Sequence, residues 1–421
     1  MDEKRRIVFL VGGYYPTFTP PGICAEKIIA QLKERCDITI VCWRRSMEVR
    51  ERKFDHEGVH VIQISDWLND RFVSTATGRG RRLWRLVRLG LSALRLNDSL
   101  AWIRRSMFRE LLRLQREKPI DAVVSVAFPL QTHEAAACFK LRHPHVRWIT
   151  YSTDTHHGKT DGRRWLRPFR ERSERNCYAK ADANFLSREI YTSCADFLGP
   201  TIMAKSKMLD YMVDLRGHET RESQPTRMFP SDEIALVFGG AFVEGVRSPE
   251  YFLEILRHLP ETSRIRWHVY SNQGFRTLLE SFKKENPNRL ALHAPVGIDE
   301  FRRIMRGADI LVNISNDSDQ FFPSKAFEYV ATGRPIVDVA YPHRAKNEVF
   351  LRHPRCLRLE IGGSPDAGAL QLDDFCNSAS VFCVSSNSLV ELYSEYLPET
   401  ALAPLFKVLL SPSPQPLRES L

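Results

Sequence analysis

Residues 310–339 read ILVNISNDSDQFFPSKAFEYVATGRPIVDV and contain a strand, a loop, a short helix and a second strand. The β-branched run 310–314 is typical of a buried parallel strand, and 336–339 repeats that pattern. Pro323 suits the first turn of a helix, and Gly333 suits its end. The stretch therefore predicts a parallel α/β sheet with the amino end of this helix at the carboxyl edge of the sheet.

Short β-branched runs alternate with longer helical patterns along the whole chain. The other runs are 7–11, 38–41, 59–62, 122–126, 148–151, 234–238, 265–270 and 290–293. Residues 213–232 turn polar and lose this periodicity, so we place a linker there. We predict an α/β fold of two facing, doubly wound, Rossmann-like domains. The predicted parts are an N-terminal domain 1–212, the linker 213–232, a C-terminal domain 233–390, and a helix and tail 391–421 that cross back.

Composition excludes several classes of protein. The 421 residues are 43% hydrophobic and 27% charged, as in ordinary globular proteins. No apolar run is long enough to cross a bilayer, and the chain starts without a signal-peptide core, so we expect a cytoplasmic protein. The nine cysteines form no CxxC pair and have no His partners at zinc spacing, so we expect reduced thiols and no metal site.

The net charge of +10 is concentrated in one stretch. Residues 71–118 hold 13 Lys and Arg against 3 Asp and Glu. In 80–95, Leu and Trp alternate with Arg at helical spacing, which favours an amphipathic helix on an anionic membrane. The alternative is a core-packed helix with a solvated basic face. Binding of nucleic acid is a weaker interpretation of this charge, because no recognisable RNA or DNA module accompanies it.

The predicted helix after Pro323 carries side chains suited to a nucleoside diphosphate. Free N–H groups and the helix dipole favour a phosphate at its amino end, where Ser324 adds a hydroxyl and Lys325 a cation. Glu328 lies one turn further along the same face, where its carboxylate can accept two hydrogen bonds from a ribose diol. The alternative is an ordinary helix start with a solvated Glu328.

The Pro-Ser-Lys and Glu-Tyr-Val-Ala-Thr-Gly-Arg-Pro elements of 323–335 resemble the donor-binding signature of retaining family-four (group 1) glycosyltransferases, which have the GT-B fold. In that family two Glu flank seven residues. Glu328 matches the second, which implies a role in holding the ribose. Gln320 stands where the first Glu contacts the donor sugar, and it keeps the hydrogen-bonding reach without the charge.

Two glycine-rich segments resemble further parts of that family. Gly12, Gly13 and Gly22, between the first strand and a helix expected near Cys24, resemble the loop that borders donor phosphates and acceptor. A purely structural turn is the alternative, since the segment is not GxGxxG.

In the second half, Gly240 and Arg247 follow the strand 234–238, where Arg247 would meet the diphosphate and Lys325 would supply the second positive charge. A surface Arg at a helix start is the alternative. Val296 lies in the segment where the family reads the base through backbone groups.

Asp154, His156 and His157 directly follow the strand 148–151. In the family, a His or Asp on this side contacts the transferred sugar or the acceptor, and a His can accept a proton near neutral pH. The alternative is that all three are hydrogen-bonding loop residues. We expect Glu174 to face solvent or to pair with a neighbouring Arg.

The resemblance implies a metal-independent hexosyltransferase without a cofactor. It would move a sugar, with retention, from a nucleoside-diphosphate sugar to a hydroxyl of a lipid-linked glycan in cell-surface polysaccharide biosynthesis. We expect a peripheral membrane protein at the cytoplasmic face that does not bind nucleic acid. A nucleotide-sugar epimerase and a non-catalytic glycosyltransferase-like subunit remain open alternatives.

Overall fold

The computed structural model describes residues 4–16, 18–43, 52–64, 101–155, 167–215, 227–271, 274–317, 325–342, 348–379 and 383–411. The chain divides into two compact α/β units. The first unit is Met1–Asp210 together with Ala401–Leu421, and the second unit is Tyr211–Thr400. Each unit is built around its own largely parallel sheet, which confirms the predicted α/β class.

In the described ranges of the first unit, eight strands form one sheet in the order β3-β4-β2-β1-β5-β6-β7-β8. The strands are β1 (Arg5–Val11), β2 (Cys36–Trp43), β3 (Lys53–His56), β4 (Val59–Ile64), β5 (Ala122–Ala127), β6 (Arg147–Ser152), β7 (Ala183–Leu186) and β8 (Ser206–Met208). Only the β3-β4 pair is antiparallel. Every residue of β5 and β6 is buried, as expected for strands inside a parallel sheet.

The helices of the first unit pack on this sheet. They are α1 (Pro20–Leu32), α2 (Ala101–Glu117), α3 (Gln131–Arg142), α4 (Arg167–Lys180), α5 (Arg188–Ser193), α6 (Ala195–Leu198) and α7 (Pro200–Met203). A final helix, α16 (Ala403–Leu410), returns to this unit from the end of the chain. Arg5 and Arg147 each donate to the Ser411 carbonyl oxygen over 2.6 Å, which places two cations at the negative end of α16.

Over its described residues, the second unit has six parallel strands in the order β11-β10-β9-β12-β13-β14. They are β9 (Ile234–Gly239), β10 (Ile265–Tyr270), β11 (Leu290–His293), β12 (Ile310–Ile314), β13 (Ile336–Ala340) and β14 (Cys356–Glu360). Counted within the unit, this is the Rossmann order 3-2-1-4-5-6, so the direction of winding reverses between β9 and β12.

The helices of the second unit are α8 (Glu250–Arg257), α9 (Arg276–Glu285), α10 (Ile298–Gly307), α11 (Lys325–Ala331), α12 (Glu348–Leu351), α13 (Pro365–Ala379), α14 (Ser386–Leu392) and α15 (Pro398–Ala401). One apolar cluster includes Phe238, Phe252, Trp267 and Phe282, all at most 2% exposed. These side chains from strands β9 and β10 and helices α8 and α9 form the core of this unit.

The helix predicted within 391–421 is not one continuous helix. The structure divides it into α14, a 3₁₀ turn at Ser394–Tyr396, α15 and α16. Leu397 is extended, with ψ 147°, because a residue before proline is disfavoured in the helical region. Pro398 then starts α15, and it has no N–H to continue the preceding hydrogen-bond ladder.

The basic stretch 71–118 is only partly visible, since 71–100 lie outside the described residues. Of the rest, α2 carries an apolar face that is fully buried in the core of the first unit. Its members are Ile103, Met107, Leu111 and Leu114, all at most 2% exposed. The apolar face of α2 is therefore packed in the core, and the contact of 71–118 with a membrane stays a prediction. Among the described residues, no helix combines the length and apolar character needed to cross a membrane.

Candidate functional site

The carboxyl ends of β9 and β12 offer a place for a ligand, because the direction of winding reverses between these two strands. In open α/β sheets, ligands bind outside the carboxyl ends of the strands where the winding reverses. Gly239 ends β9, and Gly240 continues the chain across this edge. The side chains around these two glycines therefore define the candidate site.

Lys325, the first residue of α11, reaches this edge. Its Nζ donates a hydrogen bond to the Gly239 carbonyl oxygen over 2.6 Å and lies 5.6 Å from the centroid of the Phe301 ring. Burial lowers the pKa of Lys325 to about 8, an effect that Glu328 opposes and Arg247 adds to. The site thus holds an ammonium group that titrates close to neutral pH.

Arg247 comes to the same edge from the turn after β9. Gly245 adopts φ +70°, and the Arg247 amide donates to the Val243 carbonyl oxygen over 2.7 Å, which closes that turn. Burial lowers the pKa of Arg247. Its Nε is buried and has no hydrogen-bond partner within the described part of the chain. Burying a donor without a hydrogen-bond partner costs free energy, and a ligand atom that accepts a hydrogen bond from it would remove that cost.

Gly240 lies between these two cations. A Cβ atom at Gly240 would stand 3.4 Å from Arg247 Nη1 and 3.5 Å from Lys325 Nζ. A larger residue would therefore intrude on the space that both positive groups border. Residues predicted from two separate segments are brought together here, and the charges of Arg247 and Lys325 suit an anion with several oxygens.

Glu328 is half-buried and lies about one turn after Lys325 on α11. The next residue, Tyr329, is buried, and its hydroxyl accepts a hydrogen bond from the Gly239 amide over 3.3 Å. Burial raises the pKa of Tyr329 to about 12, so the phenol stays neutral. Tyr329 thereby ties α11 to β9. As predicted, the helix stops before Gly333, which has φ +69°.

Two predicted members of this site, Ser324 and Gln320, lie outside the described residues. Val296 is half-buried in the loop between β11 and α10. Directly before it, Ala294 and Pro295 line a pocket of about 740 Å³ that opens between α9 and the carboxyl ends of β10 and β11. Sequence patterns did not indicate this pocket, because residues of three separate elements line it.

Gly12 and Gly13 follow β1 at the carboxyl edge of the first sheet. A Cβ at Gly12 would stand 2.3 Å from the Phe128 carbonyl oxygen, so only glycine fits between β1 and the loop after β5. This packing reason is sufficient for Gly12 by itself. The predicted contact of Gly12 and Gly13 with the donor stays a prediction.

The helix expected near Cys24 begins earlier, at Pro20, because Thr19 caps it by accepting a hydrogen bond from the Gly22 amide. Gly22 consequently lies within the first turn of α1. A Cβ there would stand 2.0 Å from the Gly13 carbonyl oxygen. Gly22 is thus needed for this close approach, and its predicted donor contact stays a prediction.

Asp154 follows β6 and is half-buried. Its Oδ2 accepts a hydrogen bond from Thr153 Oγ1 over 3.3 Å, and Ser187 Oγ donates to the Thr153 carbonyl oxygen over 3.2 Å. These bonds hold the segment that carries Asp154 beside the start of α5. His156 and His157 lie outside the described residues.

A buried polar network that sequence reasoning missed lies beneath Asp154. His133 bonds Ser125 Oγ through Nδ1 over 2.8 Å and Ser152 Oγ through Nε2 over 2.9 Å. The Tyr178 hydroxyl bonds the Ser152 hydroxyl over 2.9 Å and donates to Glu174 over 3.4 Å. His133 stands in an alanine-rich helix with no motif around it, so no local signal marked it.

Glu174 corrects an expectation, because its side chain does not face solvent. The residue is 1% exposed and accepts the hydrogen bond from Tyr178. The two residues are four apart on α4 and so lie on the same helix face. Together with Ser152 at the end of β6, they fix the strand end from which Asp154 projects.

No protein-family model matches the sequence, and no curated protein matches it. Solved structures do. HepE from Anabaena in complex with UDP-glucose aligns at 10% identity and TM-score 0.61 over 96% of this chain and 99% of HepE. Sucrose-phosphate synthase from Thermosynechococcus elongatus aligns at 9% identity and TM-score 0.64, over 96% of this chain and 98% of its own.

A third similar structure is WaaB, described as a lipopolysaccharide outer core galactosyltransferase in its apo form. It aligns at 11% identity and TM-score 0.54, over 96% of this chain and 99% of WaaB. At such identities the likeness concerns the fold, and it extends over nearly the whole chain. With two parallel α/β units and a last helix that returns to the first, the chain has the GT-B fold of glycosyltransferases.

Proposed function

We propose that this protein is a glycosyltransferase that binds a nucleoside-diphosphate sugar around Gly240 and transfers the sugar to an acceptor hydroxyl. The observation that carries the proposal is the pair of cations, Arg247 and Lys325, on either side of Gly240 at the edge where the winding reverses. The GT-B fold and the nucleotide sugar bound by HepE support the same assignment.

The two cations suit the chemistry of the leaving group. When the bond between sugar and diphosphate breaks, negative charge develops on the diphosphate oxygens. Arg247 and Lys325 would stabilise that charge with donors that are already in position, which lowers the barrier of the step. In this proposal protein cations do this work, and the transfer is independent of metal.

The other site residues take the roles that the family resemblance implies. Glu328 would hold the ribose, Ser324 would donate to a phosphate, Gln320 would contact the sugar, and Val296 would read the base through its backbone. The pocket beside Val296 lies where that base would be held. A hexose and retention of its configuration belong to this proposal.

On the acceptor side we propose Asp154 with His156 or His157, bordered by Gly12, Gly13 and Gly22. A carboxylate or imidazole there would accept the proton of the acceptor hydroxyl.

We propose a lipid-linked glycan as the acceptor, in polysaccharide biosynthesis, in line with the lipopolysaccharide role of WaaB. With the apolar face of α2 buried in the core, the basic residues of 71–118 would provide the contact with an anionic membrane. A cytoplasmic location at the inner membrane face completes the proposal.

Thermal shift of the purified protein with UDP, GDP, ADP, CMP and their sugars, without added metal, tests the donor site. We expect one nucleotide to raise the melting temperature of the wild type, and Lys325→Ala to reduce that shift. Arg264→Ala is the matched control, because this exposed Arg directly precedes the amino end of β10, the end of that strand away from the candidate site. If no nucleotide stabilises the wild type, the proposal is wrong.

A transfer assay with the selected nucleotide sugar and lipid-linked glycans then tests the chemistry. Release of the nucleoside diphosphate together with glycan extension is the expected result. Binding without release would instead indicate the non-catalytic subunit, and conversion of the sugar without any acceptor would indicate an epimerase.

A further inference from the structure

We propose that Phe301 is a positioning residue of the donor site, because its ring packs on Gly239 and confines the Lys325 ammonium against the Gly239 carbonyl oxygen. Phe301 would act through Lys325 and would not itself contact the phosphates. This inference rests on the proposed function and deepens it, since it assigns a residue that no motif indicated.

The first support is the fit between the ring and Gly239. A Cβ at Gly239 would stand 1.9 Å from Phe301 Cζ and 2.5 Å from each of the two Cε atoms. The far edge of the ring thus occupies the volume that any side chain at 239 would need. The glycine at the end of β9 is required because of this ring.

The second support is the position of the ammonium. Lys325 Nζ lies 2.6 Å from the Gly239 carbonyl oxygen and 5.6 Å from the Phe301 ring centroid. A cation at this distance from an aromatic ring is attracted to its electron-rich face. A lysine side chain has many rotamers, and holding it in one of them before a ligand arrives improves affinity.

The third support is that Phe301 is itself held in place. Its amide donates to the Gly297 carbonyl oxygen over 2.9 Å at the start of α10. Its ring meets the Tyr270 ring edge-on at 5.8 Å, and Tyr270 stacks on His293 at 4.4 Å with an interplanar angle of 9°. Aromatic residues at the carboxyl ends of β10 and β11 therefore brace Phe301 toward β9.

Phe301→Leu is the informative substitution. Leu keeps an apolar side chain on α10 but removes the Cε and Cζ atoms that reach Gly239 and face the ammonium. Phe282→Leu is the matched control, since that ring is buried in the core of the same unit and makes no contact with Lys325. The control should lower the melting temperature without changing nucleotide affinity.

Calorimetric titration with UDP, GDP and ADP measures the effect in wild type, Phe301→Leu, Lys325→Ala and the double variant. For the nucleotide that the wild type binds, we expect Phe301→Leu to weaken affinity about threefold to tenfold. In the Lys325→Ala background the same change should have no further effect, because the ring acts through the ammonium.

Unchanged affinity in Phe301→Leu, or an equal loss in the Lys325→Ala background, would overturn the proposal. A wild type that binds none of the three nucleotides would instead contradict the proposed function. A ligand-free measurement separates the two cases. Gly239→Ala should lower the melting temperature strongly in the wild type and much less in Phe301→Leu, where the Cβ has room. Equal decreases in melting temperature in both backgrounds would show that the Phe301 ring does not pack on Gly239.

Discussion

The Lys325 ammonium donates a hydrogen bond to the Gly239 carbonyl oxygen over 2.6 Å, which joins the first residue of α11 to the last residue of β9. The two residues are 86 positions apart in the chain. They meet because β9 and β12 are neighbours in the sheet, and α11 connects β12 to β13. The bond places a partly desolvated cation at the edge where the winding reverses.

Removing either cation should weaken nucleotide binding. We expect Lys325→Ala and Arg247→Ala each to reduce affinity for the bound nucleoside diphosphate about tenfold to a hundredfold, since a hydrogen bond to a charged group contributes about 1.5 to 3 kcal/mol. Isothermal titration calorimetry measures the loss. Arg264→Ala should bind as the wild type does, and unchanged affinity in both site variants would argue against the site.

Nucleotide binding should depend on pH through Lys325. Its folded pKa is about 8, below the ordinary value of 10.5, and an anion beside it raises that pKa again. Affinity should therefore be flat from pH 7 to about 8 and then fall by at most about tenfold per pH unit. The terminal phosphate of a nucleoside diphosphate has a pKa of about 6. Above pH 7 it has already lost its proton, so it does not contribute to this fall in affinity.

For the ligand-free protein, the same lowered pKa makes folding stability change with pH in the direction opposite to that of nucleotide affinity. Between about pH 8 and 10.5 the unfolded chain binds more protons at Lys325, so this residue's contribution to stability rises with pH. Binding titrations and unfolding measurements across this pH range check the effects on affinity and on stability. Lys325→Ala should lose the fall in affinity above pH 8, and a variant that keeps it would show that another group titrates.

Glu328 should discriminate ribose from deoxyribose. If its carboxylate accepts hydrogen bonds from the ribose diol, the wild type should bind the ribonucleotide about tenfold more tightly than the 2′-deoxynucleotide. Glu328→Ala should bind both alike and weakly, whereas Glu328→Gln should keep part of the preference. Competition binding gives the ratios, and an undiminished preference in Glu328→Ala would remove the residue from the site.

The buried network should stabilise the first unit. His133→Phe would leave Ser125 and Ser152 each without one buried partner, which should cost about 1 to 3 kcal/mol of unfolding free energy. Denaturant unfolding measures the change, and nucleotide affinity should stay unaltered. His145→Phe, at an exposed position just after α3, should change stability little. Equal effects of the two substitutions would show that the network contributes nothing specific.

Sugar transfer should continue when metal ions are removed by a chelator. Because Arg247 and Lys325 are proposed to neutralise the diphosphate, EDTA should leave the initial rate of sugar transfer unchanged. A rate that falls with EDTA and returns with Mg²⁺ or Mn²⁺ would assign part of that role to a metal ion.

Local patterns predicted ten of the fourteen strands in the described ranges. Strands β10, β11 and β12 have the predicted bounds, and β12 carries the mostly apolar run typical of a strand buried on both faces. The strands β3, β7, β8 and β14 were not predicted. Strand β3 alternates Lys53 and Asp55 with partly buried residues, and β8 has three residues, so neither carries such a run.

The spacing of Lys325, Glu328 and Gly333 along α11 is a property of the sequence itself, because a helix places residues three and four apart on one face wherever it lies. Contacts across the sheet are different. Arg247, Gly240 and Phe301 become neighbours of Lys325 only through the strand order β10-β9-β12, and the His133 network forms only where two strands and two helices pack together. No periodicity within one segment encodes such contacts, since they depend on which segments pack side by side.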